Sequence, residues 1–208
     1  MNEVQIPITD SITLEGNLVL PAQTHRVVLF AHGSGSSRLS PRNRYVAGEL
    51  NLRGIGTLLL DLLTPDEDDV YRTRFDIDLL TTRLVQATSW LTTHPRLNAP
   101  AIGLFGASTG AAAAIRTAAS AIELVRAVVS RGGRPDLAAA HLHLVQCPTL
   151  LIVGSLDYDV LMLNRQALAD LTCKKRLEVV PGATHLFEEP GKLEHVARLA
   201  ADWFERYL

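Results

Sequence analysis

Gly106-Ala107-Ser108-Thr109-Gly110 sets a serine between two glycines, at the spacing used by the strained nucleophile turn of acyl-transfer sites. The apolar run Ala101-Ile102-Gly103-Leu104-Phe105 precedes it, and Ala111-Ala112-Ala113-Ala114 follows. A strand is therefore expected to turn sharply into a helix, lifting the Ser108 hydroxyl above a sheet. Residues without bulk are needed on both sides because strand and helix nearly touch there. The plainer use of such a serine is to cap the helix. A serine nucleophile needs a base to take its proton and an acid to orient that base. His185, in Gly182-Ala183-Thr184-His185, is the expected base. Asp157, in Gly154-Ser155-Leu156-Asp157-Tyr158-Asp159, is the expected acid. Asp159 is the alternative, although its position suits capping the helix expected from Val160.

The other polar residues are weaker candidates. His32-Gly33-Ser34-Gly35-Ser36-Ser37 is a glycine-rich loop after a strand. A phosphate loop would need a following Gly-Lys-Ser/Thr, and a dinucleotide fingerprint would need glycine where Arg38 stands. An oxyanion hole built from the backbone N–H groups of Ser34 and Thr109 is the better use, with His32 holding the loop. His25, His94 and His195 follow no strand end. His141 and His143 share one short segment, but neither a carboxylate nor a cysteine completes a metal set, so no metal is expected. Arg131 and Arg134 leave a strand at the same edge. One of them could hold a substrate carboxylate or phosphate, or both could pair with acids such as Asp136 and fix the loop.

The elements that must position these residues alternate regularly. Strand-like apolar runs cover 26–31, 56–61, 101–107, 125–130, 149–154 and 176–180. Helical patterns cover 41–53, 75–94, 109–122, 160–171 and 191–208. The first twenty residues alternate weakly around Asp10-Ser11 and predict an antiparallel hairpin at a sheet edge. The expected architecture is α/β: a mostly parallel sheet of about eight strands, helices on both faces, and no cap domain. Residues 1–208 are expected to form one domain. Sites on such sheets lie beyond the carboxyl ends of the strands, where Ser108, Asp157, His185 and the His32 loop all fall.

Composition narrows the function classes. The chain has 208 residues, 47% apolar and 20% charged, with a net charge of -2. That balance favours neither nucleic acid nor an anionic membrane. No apolar stretch approaches the roughly 20 residues of a membrane helix. Met1 to Pro7 carries no basic and apolar leader pattern, so a cytoplasmic location is expected, with Cys147 and Cys173 as free thiols. Oligomeric state stays open, a homodimer included.

Taken together, these residues resemble the α/β-hydrolase superfamily, and within it the small dienelactone-hydrolase-like branch. The resemblance spans nearly the whole chain, from the edge hairpin through the Gly106–Gly110 turn to Gly182-Ala183-Thr184-His185. It is closest in kind to compact bacterial hydrolases found alone or fused to a phosphoribosyltransferase domain. Ser130-Arg131-Gly132-Gly133-Arg134-Pro135-Asp136 and Leu59-Leu60-Asp61-Leu62-Leu63-Thr64 carry that likeness. No phosphoribosyltransferase signature is present, so a free-standing unit is expected. Dienelactone hydrolases place cysteine at the turn where this chain has Ser108, which favours ordinary ester chemistry. The resemblance implies a cofactor-free serine hydrolase of small esters or lactones, thioesters being within reach. The stretch 130–149 is too short for a lid, so an open, shallow pocket is expected. The rival reading is a non-catalytic binding or signalling protein on the same fold. A nucleotide-dependent oxidoreductase is weaker still, since it lacks the glycine fingerprint.

Overall fold

The computed structural model describes residues 2–208. The chain opens with the hairpin β1 (Asn2–Pro7) and β2 (Thr13–Val19), paired antiparallel with Ile6 opposite Leu14. Alternation follows: β3 (Arg26–Ala31), α1 (Pro41–Leu52), β4 (Gly56–Leu60), the short α2 (Pro65–Asp68), α3 (Ile77–Thr92), β5 (Ala101–Ala107), α4 (Thr109–Ser120), β6 (Val125–Arg131), β7 (Thr149–Gly154), α5 (Tyr158–Asp170), β8 (Lys175–Val180) and α6 (Lys192–Tyr207). A 3-10 turn, Tyr71–Phe75, precedes α3, and a 3-10 segment, Pro135–Leu144, links β6 to β7.

Eight strands form one sheet in the order β1-β2-β4-β3-β5-β6-β7-β8. β2 joins β4 antiparallel, and every pair from β4 to β8 is parallel. Strands β4 and β7 are buried along their whole length, so they read as unbroken apolar runs rather than as alternation. Two apolar layers flank the sheet. Val46 and Leu50 of α1 meet Val196, Ala200 and Phe204 of α6 on one face. Leu80 and Leu84 of α3, Ala113 and Ile115 of α4, and Ala167 of α5 cover the other.

The expected α/β architecture is the one found, including the edge hairpin and the absence of a separate cap. Only the 3-10 segment stands between β6 and β7. Two local expectations need correction. The helix predicted over 75–94 begins at Ile77, because Asp76 caps it by accepting the Leu79 N–H at 3.0 Å. α2 was not anticipated, although Thr64 and Glu67 form a reciprocal capping box around it.

Candidate active site

Ser108 sits between β5 and α4 with φ 50° and ψ −120°. A non-glycine residue in that region stores on the order of 1–3 kcal/mol of backbone strain and needs neighbours to impose it. They do so through three backbone bonds. Ala111 and Arg134 each donate an N–H to the Ser108 carbonyl at 3.1 Å, and the Ser108 N–H reaches the Arg131 carbonyl at 3.3 Å. The flanking glycines make the turn sterically feasible. A Cβ on Gly106 would lie 2.4 Å from Ala111 Cα, and one on Gly110 would lie 2.3 Å from the Ala31 carbonyl oxygen. Ser108 occupies the N-cap position of α4, yet its side chain makes no capping bond. The hydroxyl is therefore not spent on the helix.

Asp157 likewise stands at the N-cap position of α5 without capping it. Its Oδ2 lies 2.6 Å from His185 Nδ1 instead. Asp159 lies within the first turn of α5, which starts at Tyr158, so the cap expected from it does not form. Backbone contacts stitch the two loops together. Ser155 donates to the Val180 carbonyl at 2.9 Å, Leu156 donates to the Ala183 carbonyl at 3.0 Å, and the Gly182 N–H donates to Ser155 Oγ at 2.8 Å. Gly154 permits this approach, since a Cβ there would come within 2.2 Å of the Ala183 oxygen.

Ser108 and His185 line one cavity of about 190 Å³, together with Ser34, Ser40, Arg42 and Arg131. No hydrogen bond joins Ser108 to His185 among the described residues; such contacts commonly tighten only around substrate. Arg42 and Ser40 were not anticipated. The signal was Ser40-Pro41, a cap followed by proline at N1, which points the start of α1 at this edge.

The glycine-rich loop departs from expectation in one respect. The Ser34 N–H, expected to be free for an oxyanion, donates to Thr109 Oγ1 at 2.9 Å. It can serve an oxyanion only if the Thr109 hydroxyl shares it or turns away. His32 holds the loop as expected: Nδ1 donates to the Gly33 carbonyl at 2.9 Å, and Nε2 accepts the Leu62 N–H at 3.1 Å. Burial, partly opposed by the Gly33 bond, lowers its pKa and keeps the ring neutral. Asp61 is taken by Arg38, through the backbone N–H at 2.6 Å and Nη1 at 2.5 Å. His141 and His143 lie in the 3-10 segment, away from this cavity. Cys147 is buried, and desolvation pushes its thiol up to about 12, so it is no nucleophile.

The two arginines at the end of β6 and just beyond it part company. Arg134 grips Asp136 through both ends of its fork, Nε to Oδ1 at 2.8 Å and Nη2 to Oδ2 at 2.7 Å. This pairing with Asp136 is the structural alternative set out above for it, and it fills the fork. Arg131 is 7% exposed and makes no ion pair among the described residues. Arg134→Ala should therefore cost only the value of a surface pair, about 0–1 kcal/mol. Hydrogen bonding to Arg134 holds the Asp136 carboxyl below its ordinary value. The pair's contribution is thus complete at neutral pH and is lost as pH falls through the carboxylate range, below about 4. Melting curves of variant and wild type should differ slightly at pH 7 and converge at low pH; unchanged melting with altered substrate selectivity would contradict this.

Comparison with known proteins adds four findings. The Dienelactone hydrolase family matches residues 64–208. A crystal structure of a dienelactone hydrolase from Anabaena variabilis is 54% identical and superposes with a TM-score of 0.96, covering 100% of this chain and 97% of that one. Est1E from Butyrivibrio proteoclasticus, 15% identical with a TM-score of 0.85, covers 99% of this chain and 98% of its own, and shares the fold. A Mycobacterium tuberculosis protein named "Putative phosphoribosyl transferase Rv0571c" is 55% identical over 206 residues, 99% of this chain. The chain spans 46% of that relative's length. No helix among the described residues is long and apolar enough to cross a membrane.

Proposed function

The chain belongs to the dienelactone hydrolase family, and on that premise we propose that it is a cofactor-free serine hydrolase of small carboxylic esters or lactones. The observation that carries the reading is the 2.6 Å Asp157–His185 bond at the cavity that also holds the strained Ser108. In this mechanism Ser108 Oγ attacks the carbonyl carbon and His185 Nε2 accepts its proton. Asp157 holds the Nδ1–H tautomer and stabilises the imidazolium. The Thr109 N–H receives the developing oxyanion, joined by the Ser34 N–H once the Thr109 hydroxyl releases it. His185 then protonates the departing alcohol. Water, activated by the same imidazole, cleaves the acyl-enzyme and restores Ser108.

The acyl group is small in this reading. A cavity of about 190 Å³ falls below the roughly 300–1,000 Å³ of drug-sized sites. In this reading the protein works in a reducing cytoplasm, where Cys147 and Cys173 stay free. The transferase name belongs to proteins of which this chain spans 46%.

A fluorophosphonate probe tests the reading. Mass spectrometry should find the adduct on the peptide containing Ser108, together with turnover of a short p-nitrophenyl ester. Neither labelling nor turnover would leave a binding protein on the same fold.

A further inference from the structure

Arg131 ends β6 beside Ala107, the residue before Ser108. Its side chain is 7% exposed, and both Nε and Nη1 are buried without a hydrogen-bond partner. A buried charge with no counter-ion is costly, and natural structures keep one only where something repays it. Phe187 offers its ring face 5.9 Å from the guanidinium carbon, which offsets part of the cost but accepts none of the N–H donors. The charged neighbour that acts on it is Arg42, of the same sign. Arg42 itself pairs outward, Nη1 to Glu188 Oε1 at 2.8 Å, and its Nε is also buried and unpartnered. Both arginines line the cavity of Ser108. The twelve-residue α1 begins at the same wall, with Ser40 as its cap, and adds the positive end of a helix dipole.

We propose that this cavity binds an oxyanionic group of the substrate, a carboxylate or a phosphate, on the fork of Arg131 with Arg42 beside it. The proposal rests on the serine-hydrolase reading only for where the anion sits relative to the scissile bond. Arg134, three residues on, shows the contrast: its fork is filled by an acid of the chain, whereas that of Arg131 awaits an acid from outside. Burial, reinforced by Arg42, lowers the Arg131 pKa to about 10, so the guanidinium remains charged at neutral pH. A desolvated, already positive cleft is where a bidentate anion contact is strongest.

The test compares mono-p-nitrophenyl succinate with p-nitrophenyl butyrate, which share a leaving group and differ by a carboxylate in place of the terminal methyl. Arg131→Met keeps an apolar stem and removes the buried charge. The succinate-to-butyrate ratio of kcat/KM should fall roughly tenfold or more in the variant, the scale of one charge-assisted hydrogen bond, with the loss in KM for succinate. The melting temperature should hold or rise, because no ion pair is broken. Inorganic phosphate and acetate, tried separately as competitive inhibitors of wild type, tell phosphate from carboxylate. An unchanged ratio, or equal losses on both esters with a lowered melting temperature, would overturn the proposal. If neither ester turns over, the hydrolase reading fails while the anion site is still tested by calorimetry. Succinate or phosphate binding that disappears in Arg131→Met supports the site, and no binding to wild type refutes it.

Discussion

Ser108→Ala is expected to reduce ester hydrolysis to about a thousandth of wild type or less, while the protein stays folded. The loss follows from chemistry: with Oγ removed there is no atom to form the acyl-enzyme, and only substrate binding and the oxyanion donors remain. The retained fold follows from structure. The Ser108 side chain caps nothing, and the turn is held by backbone bonds to Ala111, Arg134 and Arg131 that alanine preserves. Alanine also keeps the Cβ, so the strain at φ 50° is unchanged. Stability should therefore shift by no more than about 0.5 kcal/mol. Turnover of p-nitrophenyl butyrate at the wild-type rate by a variant with a normal melting curve would remove Ser108 from the mechanism.

Gly110→Ala is expected to be among the most damaging single methyl groups in the molecule, alongside one at Gly154. The added Cβ would lie 2.3 Å from the Ala31 oxygen and 2.4 Å from the His32 oxygen. Both are backbone atoms of β3 and the loop that carries Ser34, so no side chain can swing aside. Overpacking against backbone reaches about 3 kcal/mol or beyond. For a chain of this size that is a fall of roughly 6–12 °C in Tm. Gly48→Ala is the control. Gly48 is exposed in α1 with nothing within 4 Å, and alanine there should hold or raise stability by up to about 1 kcal/mol. Equal melting temperatures for Gly110→Ala and wild type would show that β3 and α4 are not in the close contact described.

The contrast between Ala101–Ala107 and Arg131 marks where the sequence stops speaking. β5 and β7 were legible to the residue, because a strand covered on both faces must be apolar throughout. The positions of Ser108, Asp157 and His185 were legible because strand ends in a parallel sheet converge on one edge. Helix starts were less so: Asp76 and Thr64 announce caps, but the apolar stripe of α3 drew the expected boundary outward. The fates of Arg131 and Arg134 were not legible. Arg131 ends the strand and Arg134 lies three residues beyond it, and only side-chain direction decides that Arg134 meets Asp136 while Arg131 meets no acid. The Thr109 hydroxyl on the Ser34 amide joins residues 75 positions apart, a pairing that no local pattern encodes.

The contacts that tie Gly154, Ser155 and Leu156 to Val180, Gly182 and Ala183 mean that acid and base do not move independently. Ser108 is held by its own backbone bonds, to Arg131 and to the turn after β6. In the mechanism proposed, assembling the reactive geometry then collapses from many torsions to a single coordinate, the gap between Ser108 Oγ and His185 Nε2. A substrate held between Ser108 and His185 then needs to set only that one separation, and most of the ordering entropy has already been spent during folding.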